Sequence, residues 1–187
     1  GGIMSGIYSE RHTLEKTESA SETANEPVKK GDTAEVKESV AVNKMRTEFA
    51  ALAVNEAFAR AAAAAFFSRL DPTVEELTEI KTAVSEAVSN AVIHGYQGGS
   101  ADKTVVMECE YENSGIIKIA VSDCGVGIKD VEEARRPLFT TGDAEERSGM
   151  GFSVMEAFMD DVRVESEPGN GTRVTMKKSI SAVREDE

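Results

Sequence analysis

The chain has 187 residues with 40 % hydrophobic and 29 % charged side chains, enough for one ordinary domain plus a tail and too apolar for wholesale disorder. Twenty-one Lys and Arg face 34 Asp and Glu, a formal charge of −13 that argues against a nucleic-acid-binding surface. Two cysteines exclude a disulfide framework and suit a reducing cytoplasm, and no apolar run is long enough to span a membrane.

Residues 1–44 are rich in Ser, Thr, Glu, Ala and Lys, with no Phe or Trp. Such a segment cannot bury enough apolar surface to offset its chain entropy, so it reads as a disordered extension, a docking arm being the alternative. Its first residues lack a basic stretch and an apolar run, so no signal peptide is expected. Residues 45–53 alternate as a first strand. Residues 54–70 follow as a helix with Val54, Phe58, Ala62, Ala65 and Phe66 on its apolar stripe. Asp71-Pro72-Thr73 ends that helix and starts the next. Pro72 suits a first helical position, and Thr73 and Glu76 have capping-box spacing. The second helix runs to His94, with Leu77, Ile80, Val84, Ala87 and Ala91 inward and Gly95 as its C-terminal cap. Residues 104–111 and 116–122 form a hairpin around Glu112-Asn113-Ser114-Gly115. Residues 123–149 are irregular, with a short helical pattern at 131–136. A helix over 150–159 leads into a second hairpin, 161–167 and 172–178, around Pro168-Gly169-Asn170-Gly171. The order β-α-α-β-β-lid-α-β-β predicts an α+β sandwich: one mixed, mostly antiparallel sheet with helices on one face. A domain over 45–180 results, with 181–187 a disordered tail.

Three segments stand out chemically. Glu86, Asn90 and His94 recur every four residues and so share a helix face. Asn is a mediocre helix former; its neutral oxygen suits a Mg²⁺ ion beside phosphates, and a carboxylate one turn earlier suits a base for a hydroxyl. A solvent-facing Glu and Asn is the alternative. Asp123-Cys124-Gly125-Val126-Gly127 follows a strand. Its Asp can accept from an exocyclic amine and its glycines let backbone approach a flat ring, though a plain turn has the same spelling. Arg147-Ser148-Gly149-Met150-Gly151 precedes a helix, where exposed N–H groups favour phosphate and Arg147 can fork onto it. An ordinary Gly-rich loop is the alternative there. The polar stretch 136–146 reads as a movable lid.

Together and in this order, the three segments resemble the N, G1 and G2 boxes of the GHKL ATPase superfamily, shared by gyrase, Hsp90, MutL and histidine kinases. Within it, residues 85–96, 136–141, 146–152 and 155–161 are most similar to the anti-sigma factor serine kinases of sporulation. The resemblance covers about residues 45–180 and none of the extension. It implies the GHKL (Bergerat) ATP-binding sandwich, with ATP and Mg²⁺ as cofactors. It implies Glu86 as base toward a serine hydroxyl and Asn90 in the Mg²⁺ shell. Asp123 would take the adenine amino group, with Gly125 and Gly127 lining the base. Thr140, Thr141 and Arg147 would sit in the lid, with Arg147 at the phosphates. Gly149 and Gly151 would bracket the phosphate turn, and Thr172 would help bind adenine. The implied partners are a sporulation sigma factor and an anti-anti-sigma substrate of STAS fold. A cytoplasmic homodimer is implied, with the first strand a plausible edge for it, without direct nucleic-acid or membrane binding.

Arg60, on an Ala-rich helix, is the candidate partner contact; a solubilising surface Arg is the alternative. Cys124 is expected to be a small buried thiol and His94 a structural residue. Rival readings meet obstacles. A histidine kinase needs a helical hairpin with a phosphoacceptor His, and only His12 remains. A gyrase-like or Hsp90-like motor needs a transducer domain. A general stress-response anti-sigma kinase, or a sigma-binding module without kinase activity, stays open.

Overall fold

The computed structural model describes residues 41–136 and 150–181. The expectations for 1–40, for the lid from 137 to 149 and for 182–187 lie outside the described residues. Strand β1 (Asn43–Ala51) opens the fold and is followed by α1 (Asn55–Phe67), a 3₁₀ turn at Ser68–Leu70 and α2 (Val74–Asn90). The hairpin β2 (Ser100–Tyr111) and β3 (Ile116–Asp123) comes next, then a single turn α3 (Val131–Ala134). Helix α4 (Gly151–Phe158) precedes the closing hairpin β4 (Asp161–Ser166) and β5 (Thr172–Ser179). The expected element order is therefore borne out, with boundaries shifted by a few residues.

The five strands lie in the order β1-β2-β3-β5-β4. Every described pairing is antiparallel, so the sheet is not mixed as the sequence suggested. Strand β1 is an edge. Alternation sends Phe49, Val105, Met107, Ile117, Ile119, Val174 and Met176 to one face, where they join Ala59, Ala63 and Phe67 of α1, Ile80, Val84 and Val88 of α2 and Met155 of α4 in one core. The opposite face carries a lattice of exposed ion pairs across strands: Lys44–Glu110–Lys118, and Arg46–Glu108–Arg173.

The apolar stripe of α1 lies one residue further along than the sequence suggested. Ala59, Ala63 and Phe67 are buried, whereas Val54 is 75 % and Phe58 50 % exposed. On an Ala-rich helix nearly every register offers small apolar side chains, so periodicity alone does not fix the rotation.

Helix α2 begins as expected. Glu76 N–H donates to Thr73 Oγ1 at 3.1 Å, and Thr73 N–H donates back to the Glu76 carboxylate at 2.8 Å. Thr73 is the cap, so Pro72 lies ahead of it rather than at the first helical position. Glu76 also receives Ser181 N–H at 2.8 Å and Ser181 Oγ–H at 2.6 Å. Burial opposes its charge, but the Ser181 and Thr73 hydrogen bonds prevail and hold the carboxyl down at about 2. This carboxylate pins the start of the central helix to the residue that follows the last strand.

Candidate nucleotide site

The far end of α2 departs from the expected cap. The α-helix stops at Asn90 and Ala91–Gly95 make a π-helical turn, closed by Tyr96 N–H to Ala91 O at 2.9 Å. Gly95 is not in the left-handed region; Gln97, Gly98 and Gly99 are. Gly95 is small for another reason: a Cβ there would stand 2.8 Å from Asp123 Oδ1. The carboxylate occupies the space a side chain would take.

Asp123 ends β3 opposite Thr172, which begins β5. It is buried, and its Oδ1 accepts Gly125 N–H at 2.8 Å. The Thr172 backbone N–H also donates to this carboxylate. Burial pushes the Asp123 carboxyl above the usual range, against those two donors. The turn after it is held on both sides. Cys124 N–H donates to Tyr96 Oη at 2.8 Å, and Tyr96 Oη–H donates to Thr104 O at 2.7 Å. Val126 N–H reaches Gly95 O at 3.0 Å, and Val126 O accepts Gly169 N–H at 2.8 Å. Ile128 N–H donates to Ser166 Oγ at 2.8 Å. Gly125 admits no side chain because a Cβ would overlap the Gly95 carbonyl. Cys124 is exposed, not buried as expected: its backbone is the part held in the turn. Cys109 is the buried thiol, and burial pushes it up to about 12.

One turn of α2 away, Glu86 and Asn90 are half-buried. Gly151, the first residue of α4, sits directly over them. A Cβ on Gly151 would lie 3.1 Å from both amide atoms of Asn90 and 3.2 Å from Glu86 Oε2. So the structure brings together the N-box pair and the second glycine of the third motif. Between this end and the Asp123 end lies a cavity of about 550 Å³. Asn90, Gly95, Gly127, Gly151, Phe152 and Thr172 line it, as do His94 and Lys129. Asp123 lies behind Gly95 and Thr172. Thr140, Thr141, Arg147 and Gly149 lie outside the described residues.

Arg60 stands apart from the cavity, on the exposed side of α1. It pairs with Glu56 at 3.2 Å, and Glu56 accepts Ser89 Oγ–H at 2.9 Å, next to Asn90 in sequence. Tyr96 and Ser166 are the site residues that sequence reasoning missed. Their signal is long-range: a hydroxyl meeting a loop N–H 28 and 38 residues away.

The site fits a nucleotide chemically. A buried acceptor stands at one end beneath glycines, and at the other a neutral carboxamide and a carboxylate lie under a helix start. Among the described residues, no group of three or more His, Cys, Asp or Glu side chains could hold a metal. The neutral side-chain oxygen of Asn90 suits a cation that brings most of its oxygen ligands on a polyphosphate. No described helix is long and apolar enough to cross a membrane.

Residues 49–178 match the family described as Histidine kinase-like ATPase domain. The chain is 55 % identical over 142 residues to the anti-sigma F factor of Clostridium novyi (strain NT), spanning 75 % of this chain and 97 % of that protein. It is 56 % identical to the anti-sigma F factor of Pasteuria penetrans, over 76 % of this chain and 94 % of the relative. It is 54 % identical to that of Geobacillus kaustophilus (strain HTA426), over 74 % and 94 %. Among solved structures it resembles the RsbU and RsbW domains of a Mycobacterium tuberculosis protein, with a TM-score of 0.53 and 18 % identity over 74 % of this chain and 32 % of that one, a likeness of fold.

Proposed function

The chain belongs to the anti-sigma F factor family, within the histidine kinase-like ATPase proteins, and from that premise we propose a nucleotide-dependent switch with kinase activity. It binds ATP with Mg²⁺, holds a sporulation sigma factor inactive, and phosphorylates a serine on an anti-anti-sigma partner of STAS fold. The observation that carries this reading is the seating of Gly151 over Asn90 and Glu86, across one cavity from the Asp123 turn.

Bound Mg·ATP would supply an activated γ-phosphoryl group and neutralise part of its charge. The chain does the rest. Asp123 accepts from the base amino group and fixes the nucleotide's orientation, with Gly125 and Gly127 giving it a flat approach and Thr172 beside it. Asn90 would offer its side-chain oxygen to the cation. Gly151, at the start of α4, flanks the phosphate turn, with Gly149 assigned to the same turn by the resemblance alone. Glu86 aligns the incoming serine hydroxyl and takes its proton as the serine oxygen–phosphorus bond forms and the bond to the β-phosphate oxygen breaks. Thr140, Thr141 and Arg147 are carried over from the resemblance as lid residues, with Arg147 on the transferring phosphate.

The sigma factor and the STAS-fold partner meet the α1 surface. That helix exposes Arg60, ion-paired with Glu56, and, elsewhere on its surface, Val54 and Phe58. The exposed edge of β1 suits the homodimer. A sigma-factor partner implies the cytoplasm.

The test is transfer from γ-labelled ATP and Mg²⁺ to the anti-anti-sigma protein of the same source. Label on a partner serine, lost in Glu86→Gln while ATP still binds, is the expected result. Nucleotide binding without any transfer would replace the kinase with a nucleotide-gated sigma-binding module. Arg60→Glu should weaken partner binding and leave ATP affinity unchanged; equal loss of both would remove the interface role.

A further inference from the structure

Ser166, the last residue of β4, does not line the cavity, but Thr172 does. A serine hydroxyl has one proton to give and two lone pairs to fill. Ile128 N–H fills one lone pair at 2.8 Å. The carbonyl of Gly171, which can only accept, lies 2.9 Å away and takes the Ser166 proton. The third neighbour is Thr172 Oγ1, also at 2.9 Å. It faces the remaining lone pair, so the Thr172 proton goes to Ser166. With that proton committed, Thr172 Oγ1 has only lone pairs left for the cavity. The carboxylate of Asp123 stands beside it, holding the Thr172 backbone N–H, and it too only accepts.

The geometry points to Ser166 as a specificity-determining positioning residue. It fixes Thr172 as an acceptor beside the Asp123 carboxylate, so the base end selects a purine bearing an amino group over one bearing a carbonyl at that position. An amino group has two hydrogens to give, one for each acceptor. A carbonyl oxygen there meets lone pairs on both sides. This rests on the nucleotide reading above and adds the residue that sets its base selectivity.

The experiment measures the affinities of ATP and inosine triphosphate for the full chain by equilibrium titration. Ser166→Ala releases the Thr172 proton, which can then turn to a carbonyl. The ATP-to-inosine-triphosphate affinity ratio should narrow about tenfold, the worth of one hydrogen bond. Ser166→Thr, which keeps the hydroxyl, should restore the wild-type ratio. On a Thr172→Val background, Ser166→Ala should narrow it no further. If Ser166→Ala does not fold, Ser166→Cys, nearly the same size with a weak acceptor, reads the same narrowing. Equal weakening of both nucleotides in these variants would reduce Ser166 to a prop for the loop and overturn the assignment. A wild-type chain that prefers ATP, with an unchanged ratio in the variants, overturns the Ser166 role alone. A wild-type chain that binds neither nucleotide overturns the nucleotide reading with it.

Discussion

The two ends of the cavity are built differently. At the base end, backbone meets backbone: Gly125 against the Gly95 carbonyl, Gly171 against the Asp123 carbonyl, Gly127 against the Glu167 carbonyl. The N–H groups of Cys124, Gly125, Val126 and Ile128 all have acceptors supplied by the fold. At the other end, side chains meet a single glycine, and Glu86 and Asn90 are only half-buried. A prebuilt end recognises a constant feature at little ordering cost. An end made of side chains on two helices can answer to what changes during turnover, the number of phosphates.

Substitutions can break this contrast, and the sharpest strikes the backbone. Gly125→Ala drives a methyl into the Gly95 carbonyl, which cannot step aside. It should cost about 3 kcal/mol or more in urea unfolding and abolish nucleotide binding. A protein of normal stability would show the loop to be softer than its packing.

Glu76→Gln tests what the two ends share, since it loosens the root of α2. It should destabilise by about 2 kcal/mol at neutral pH, because the amide keeps one acceptor oxygen where the carboxylate offered two, one to Thr73 N–H and one to Ser181, and loses the charge that strengthened both. The folded carboxyl sits near 2 against an ordinary 4.5. The contribution is therefore complete above pH 4.5 and fades as the pH falls toward 2, where wild type and variant should converge in unfolding midpoint. A gap unchanged across that range would mean that charge is not what holds the helix root. Adenosine, ADP and ATP affinities should fall by one common factor.

Gly95→Ala is subtler. The atom it meets is the end of the Asp123 side chain, which can swing away. Displacing the buried carboxylate gives up its bond from Gly125 N–H, so stability should fall by about 1 kcal/mol, while affinity for adenosine and ATP alike drops about tenfold, roughly one good hydrogen bond. Loss of ATP affinity with adenosine spared would move Asp123 out of base recognition. Gly151→Ala is the mildest. A methyl 3.1 Å from Asn90 asks the amide to give a few tenths of an ångström. About a threefold loss for ATP, and none for adenosine, is expected in the same titrations. An effect on adenosine would erase the distinction between the ends.

The parts legible from sequence were those fixed over short distances. The Thr73–Glu76 box, both hairpin turns and the Glu86–Asn90 spacing need only neighbours three to five residues apart, and each was found where the pattern put it. Gly95 was legible as important but for the wrong reason. A helix-ending glycine looks like a cap until Asp123, from a distant strand, is seen in its space. Cys124 was misjudged because small thiols are usually buried, whereas this one rides outward on a turn fastened by its backbone. Tyr96 and Ser166 carried no local pattern at all. The rotation of α1 was hidden by its run of alanines.

The π-helical turn at Ala91–Gly95 has one more consequence. Because the same helix carries Glu86 at one anchor and Gly95 beside the other, it acts as a ruler: nine residues, roughly 13 Å of axis, set the separation that a ligand must bridge. The wide turn spends one extra residue per loop and so resets the angle at which the second mark is read. A molecule with only a base, or only a polyphosphate, reaches one mark and leaves the other blank. On the proposed function, the length of the whole nucleotide would thus be recognised as a property in its own right, apart from either of its ends.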